Sequence, residues 1–148
     1  MNRKTALVTL GVAAAFATGT IVTTVAVPAL AASSSPTVIQ HFDAESSSAP
    51  LLVSKTSFVL TDTDVVKHKT IGHDVLSCTD TGTGTTRCHV VFAQRGGLLY
   101  ARFALSDKTG RLKGAVTGGT GSFAHAKGTL AGQAVTQKDV RITLHYKK

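Results

Sequence analysis

The chain has 148 residues, with 16 lysines and arginines against 8 acidic residues, six histidines, two cysteines and no tryptophan. The basic excess is scattered, in pairs at Lys67/Lys69, Arg111/Lys113 and Lys147-Lys148. Nucleic-acid binding calls for a concentrated stripe with stacking aromatics, so these charges read as a solvated basic surface with no nucleic-acid partner.

At the N-terminus, Asn2-Arg3-Lys4 precedes an apolar stretch from Ala6 to Val27, and Pro28-Ala-Leu-Ala31 closes it with an Ala-x-Ala triplet. The stretch is long enough for a membrane span. Its glycines, its threonines and the small-residue end read instead as a signal peptide over residues 1–31. The expectation is a secreted, extracellular protein. No cysteine lies near the cut to mark a lipid-anchored form, so no stable membrane anchor is expected. Cleavage after Ala31 leaves 117 residues, enough for one domain and not two.

Residues 32–55 open with Ala-Ala-Ser-Ser-Ser-Pro and include Ser46-Ser-Ser-Ala-Pro50, and read as a flexible N-terminal segment. Within it, Thr37–Phe42 reads as a short edge strand or an extended arm. Residues 56–148 read as one β-barrel domain. Strands are predicted over Ser57–Val66, Thr70–Cys78, Arg87–Gln94, Leu98–Leu105, Arg111–Thr117, Ala126–Ala134 and Asp139–Tyr146, with turn residues between them. Nothing outside the signal peptide has a helical period.

Alternation gives each strand one apolar face. Leu99, Ala101, Phe103 and Leu105 oppose Tyr100 and Arg102; Val140, Ile142, Leu144 and Tyr146 oppose Arg141, Thr143 and His145. One apolar face per strand means a sandwich or a barrel. With the arm near Val38 there are eight strands, a number that closes a barrel whose interior is filled by side chains or holds one small ligand. Ala126, Gly128, Leu130, Gly132 and Ala134 make one side of a strand with little bulk. Such a side either admits a neighbouring backbone closely or leaves space inside.

Cys78 and Cys88 flank a threonine- and glycine-rich loop. In an exported chain an even pair reads as a disulfide before a metal site. A zinc site with His73 and His89 matches no standard spacing, and His68 with His73 makes half a site at most. No metal is expected. Triad chemistry has no Gly-x-Ser-x-Gly elbow to stand on. Asp62 and Asp64 share one face of their strand, where a paired-carboxylate glycosidase site would place its acids, but near a strand end they read rather as a solvated turn. Asp74 falls on the hairpin face of Leu76, Val90 and Phe92, where burial raises a carboxyl's pKa and suits it to acid or base work. The alternative for Asp74 is a barrel-mouth position, hydrogen-bonded to loop amides.

Residues Gly114 to Leu130 hold five of the fourteen glycines. Gly119, Gly121 and Ala124 fit the G-x-G-x-x-A of a dinucleotide site, but Gly128 and Gly132 fall where its helix belongs. The 24 residues after Ala124 are also too few for its sheet. The segment resembles the signature of the allene oxide cyclase barrel superfamily, which includes the plant dirigent proteins. There a strand enters Gly118-Gly-Thr-Gly121, an aromatic follows as Phe123 does, and a small-residue strand returns as Ala126-Lys-Gly128. Ile71-Gly72 and Val90-Val-Phe92 extend the likeness.

The resemblance implies an all-β, eight-stranded antiparallel β-barrel that binds an apolar small molecule and forms homo-oligomers, trimers or dimers. It implies a cyclase, if the chain is an enzyme, working as an isomerase without cofactors, or a dirigent-like guide of a coupling reaction. The expected pocket walls are Phe92, Phe103, Val116, Leu130 and Tyr146, with Asp74 as the polar group. The competing expectation is a secreted structural or interaction module with a filled barrel, binding protein or cell-wall polymer through its surface.

Overall fold

The computed structural model describes residues 35–148, so the expected signal peptide lies outside the described residues. Nine strands follow in order: β1 Thr37–Ser46, β2 Leu51–Leu52, β3 Ser57–Val66, β4 Lys69–Asp80, β5 Thr85–Gln94, β6 Gly97–Ser106, β7 Arg111–Gly119, β8 Lys127–Ala134 and β9 Asp139–Lys147. From β3 onward each strand pairs antiparallel with the next, and β1 closes the sheet by pairing with both β9 and β3. Eight strands therefore form a closed antiparallel barrel. The two-residue β2 pairs with β3 outside the closed ring.

Each predicted strand is present, with ends shifted by at most two residues. The larger difference is at β1. The short strand or arm read over Thr37–Phe42 runs on to Ser46 as a full barrel strand, in register with β9 from Thr37↔Lys147 to Glu45↔Asp139. Its inward positions Val38, Gln40, Phe42 and Ala44 include a polar residue, which interrupts the apolar alternation.

Alternation does the sorting elsewhere. In β5, Thr86, Cys88, Val90 and Phe92 are buried while Arg87, His89, Val91 and Ala93 are exposed. The β3–β4 turn places Lys67 and His68 at φ 49° and 62°, the left-handed pair that a two-residue hairpin of matching twist requires. Cys78 and Cys88 face each other across β4 and β5 and are disulfide-bonded, with Cα atoms 4.1 Å apart.

The glycine segment makes a corner rather than a nucleotide site. After Gly119 the chain takes a single 3-10 turn, Gly121–Phe123, and enters β8, so the helix a dinucleotide site requires is missing. Gly121 has φ +57°, and a side chain there would meet the Gly96 carbonyl of the β5–β6 turn. The turn plants Phe123 in the barrel end, against Tyr146 at 6.2 Å between ring centroids. The small-residue side of β8 is a close approach: a Cβ on Gly128 would run into the His145 carbonyl and Tyr146 Cα.

Candidate functional site

The two ends of the barrel differ. Around Phe42, Phe92, Leu99, Leu130 and Leu144 the interior is solid, with Phe42 and Phe92 edge to face at 5.5 Å. Toward the opposite end, where β1, β4, β6 and β8 finish, lies a cavity of about 340 Å³. Its wall carries Phe58, Leu60, Leu76, Phe103, Leu112 and Ile142 beside the disulfide, and Asp107, Thr136 and Gln137 stand among its polar lining. The volume is within the range of small-molecule sites, roughly 300–1,000 Å³.

Three inward carboxyls of β3 and β4 cluster at one side of this cavity, and one of them reaches it. Asp62 lines it and is 5% exposed. Asp74 lies opposite Asp62 in register, with Phe92 on its other side, and is 2% exposed. Asp64 stands one inward position further along β3, between Ala44 and Gly72, and is fully buried. Gly72 makes room for it, since a Cβ there would lie 3.2 Å from Asp64 Oδ2 and 2.6 Å from the Ala93 carbonyl. Beside them the Gln40 amide donates to the Gln94 carbonyl oxygen at 3.0 Å.

Little compensates these acids. Asp62 Oδ1, both Asp64 oxygens and Asp74 Oδ1 are buried without an ordinary hydrogen-bond donor. Burial pushes Asp62 above the usual carboxylate range, partly offset by the Ser46 hydroxyl. Asp64 rises to about 6, chiefly through burial; its contact with Asp74 and the Gln94 amide pull the other way. Asp74 rises furthest, to about 9, through burial first and then the negative charges of Asp64 and Asp62. Of the two neighbouring acids Asp74 is raised further, so a proton held between them is favoured on Asp74. Two like charges this close do not ionise together. The arrangement favours a proton on Asp74, which faces the cavity-lining Asp62 across β3 and β4.

No family model matches the sequence, and no curated protein does. Solved structures do. A pyocyanin demethylase superposes with TM-score 0.64 at 23% identity, covering 74% of this chain and 100% of its own. A pterocarpan synthase dirigent protein superposes at 0.63 with 14% identity over 76% of this chain and 88% of its own. An exo-specific intermolecular Diels-Alderase superposes at 0.60 with 10% identity over 78% and 99%. The chain has the dirigent-like barrel fold.

Within this dirigent-like barrel, the expected wall residues Phe92, Phe103, Val116, Leu130 and Tyr146 are all buried. They are not one wall. Phe103 lines the cavity; the other four do not, and pack within the solid core. Asp74 is inside, among the residues expected with it, rather than at the mouth. Asp62 and Asp64 correct the sequence reading, because neither is a solvated turn. Both continue inward the face of β3 that begins with Phe58 and Leu60, and that spacing was the available signal. Gln94, turned to the same cluster, carried no signal of its own. Among the described residues no group of three or more His, Cys, Asp or Glu side chains is arranged to hold a metal ion.

Proposed function

We propose that this protein binds an apolar small molecule in the barrel cavity and presents it to the Asp62–Asp64–Asp74 cluster, as a cofactor-independent cyclase or a dirigent-like guide of a coupling reaction. The observation that carries the reading is the junction of an apolar space of about 340 Å³ with a buried, lined-in carboxyl, Asp62. Asp62 is the group placed to touch the ligand, and the Asp64–Asp74 pair supplies or accepts a proton behind it. Burying a ligand's apolar surface stabilises its complex by about 25 cal/mol per Å², so binding needs no metal and no cofactor. The fold neighbours support a small-molecule role, since their names state a demethylation, a pterocarpan synthesis and a Diels-Alder addition. We place the protein outside the cell, a setting that suits the Cys78–Cys88 disulfide. A homo-oligomer fits the exposed pair Val75 and Val91, which face each other on the outer surface of β4 and β5.

The test is to fill the cavity. Leu60→Trp with Leu105→Trp, both at partly buried wall positions, is expected to keep the β-sheet spectrum and lose saturable binding of the neutral probe N-phenyl-1-naphthylamine. Equal probe binding by the filled and unfilled proteins contradicts the reading and favours a surface-acting module.

A further inference from the structure

We propose that the cavity selects a cationic ligand, one whose apolar body fills the space between Phe58, Phe103 and Leu112 and whose positive nitrogen faces Asp62. This narrows the ligand class of the small-molecule site above and rests on that reading.

The groups around Asp62 are negative or neutral from every direction. Asp64 shares its strand and Asp74 faces it from β4; Ser46 lies opposite on β1; Gln40 and Gln94 add neutral amides from β1 and β5. Further along the cavity lining the additional charged group is Asp107, accepting from the Thr86 hydroxyl at 3.1 Å. Among the described residues no lysine, arginine or histidine lines the cavity. The imidazole near the cluster, His73, belongs to an exposed outward position of β4. Asp62 Oδ1 is thus a buried acceptor without a partner, on the surface of a space large enough for a ligand.

Such an acceptor is costly to leave alone and gains most from a charged donor or a counter-ion. The walls favour the same partner. Phe58 and Phe103 both border the space, and an aromatic face attracts a desolvated cation, quaternary ammonium above all. An anion would meet only like charge, and a neutral molecule would leave Asp62 uncompensated. The ordering expected is cation first, neutral isostere second, anion last.

Phenyltrimethylammonium and tert-butylbenzene have the same shape and differ by one charge, so they isolate this effect. Each is titrated against bound N-phenyl-1-naphthylamine at pH 8 and pH 4.5. At pH 8 the cation is expected to displace the probe at a concentration lower by on the order of tenfold. At pH 4.5, where Asp64 and Asp74 hold their protons and the raised Asp62 is closer to neutral than at pH 8, that advantage shrinks. Asp62→Asn brings the ratio toward one at both pH values. A ratio of one or below at pH 8 in the native protein overturns the inference while leaving the small-molecule reading standing, as does a ratio that ignores Asp62→Asn. Failure of the probe and both ligands to bind overturns the inference and the reading together.

Discussion

Replacing Asp74 with asparagine should stabilise this protein at neutral pH, against the usual result for a substitution in a core. Asp74 is 2% exposed, flanked by Asp62 and Phe92, and burial with two neighbouring acids lifts its pKa from 3.8 to about 9. Below about pH 4 the carboxyl holds its proton in both the folded and the unfolded chain, and folding is unopposed by it. From there to about pH 9 the unfolded chain sheds the proton and the folded one keeps it. The unfolded state then binds fewer protons, so stability falls as pH rises through this window and is lowest above it. Asp64 adds the same trend between about 4 and 6. At pH 7.5 the ceiling on the Asp74 penalty is on the order of 5 kcal/mol, and relaxation and water entry in real interiors reduce it severalfold. Asparagine has the same shape and keeps an N–H to donate to Asp64, with no proton to retain. The expected gain is about 1–3 kcal/mol at pH 7.5 and none at pH 4. Urea unfolding of both proteins followed by circular dichroism at these pH values measures it. A variant destabilised equally at both pH values would mean instead that Asp74 acts as a well-compensated polar contact.

Reduction of the Cys78–Cys88 bond, or the paired change to serine, should lower unfolding stability by about 2–3 kcal/mol for a loop of this length; an unchanged urea midpoint contradicts that. Gly128→Ala should cost about 1–3 kcal/mol, since the new methyl meets the His145 carbonyl and Tyr146 Cα, and a melting temperature equal to that of the native protein would show that β8 and β9 can part at no expense.

The barrel itself was legible because its signals are local. Turn residues fall between runs of alternating character, and from β3 to β9 the order of the strands in the sheet is the order in the chain. Closure was less legible, since Thr37–Ser46 pairs with residues about a hundred positions away and its face carries Gln40. The cavity was harder still. Alternation tells which side chains point inward but not at what depth, which is set by register across all eight strands. Phe92, Val116, Leu130 and Tyr146 therefore looked equivalent to Phe103, yet they fill the solid part while Phe103 borders the space. Asp62 and Asp64 were set aside because carboxylates are ordinarily solvated. The periodicity that put Phe58 and Leu60 inside also put them there, and a reading that trusted spacing over polarity would have found the acid cluster. The small face of β8 allowed either a cavity wall or close strand contact, and the positions of the His145 and Tyr146 backbones decide for contact.

Whether the cavity is the binding site can be read from where a ligand lands. Amide chemical shifts of the ¹⁵N-labelled protein would be followed during titration with N-phenyl-1-naphthylamine. Saturable shifts are expected at Phe58, Leu60, Asp62, Phe103, Leu112 and Ile142, which line the cavity, with little change on the outward faces of β5 and β6. Shifts confined to those outward faces, or spread evenly without saturation, would contradict binding in the cavity.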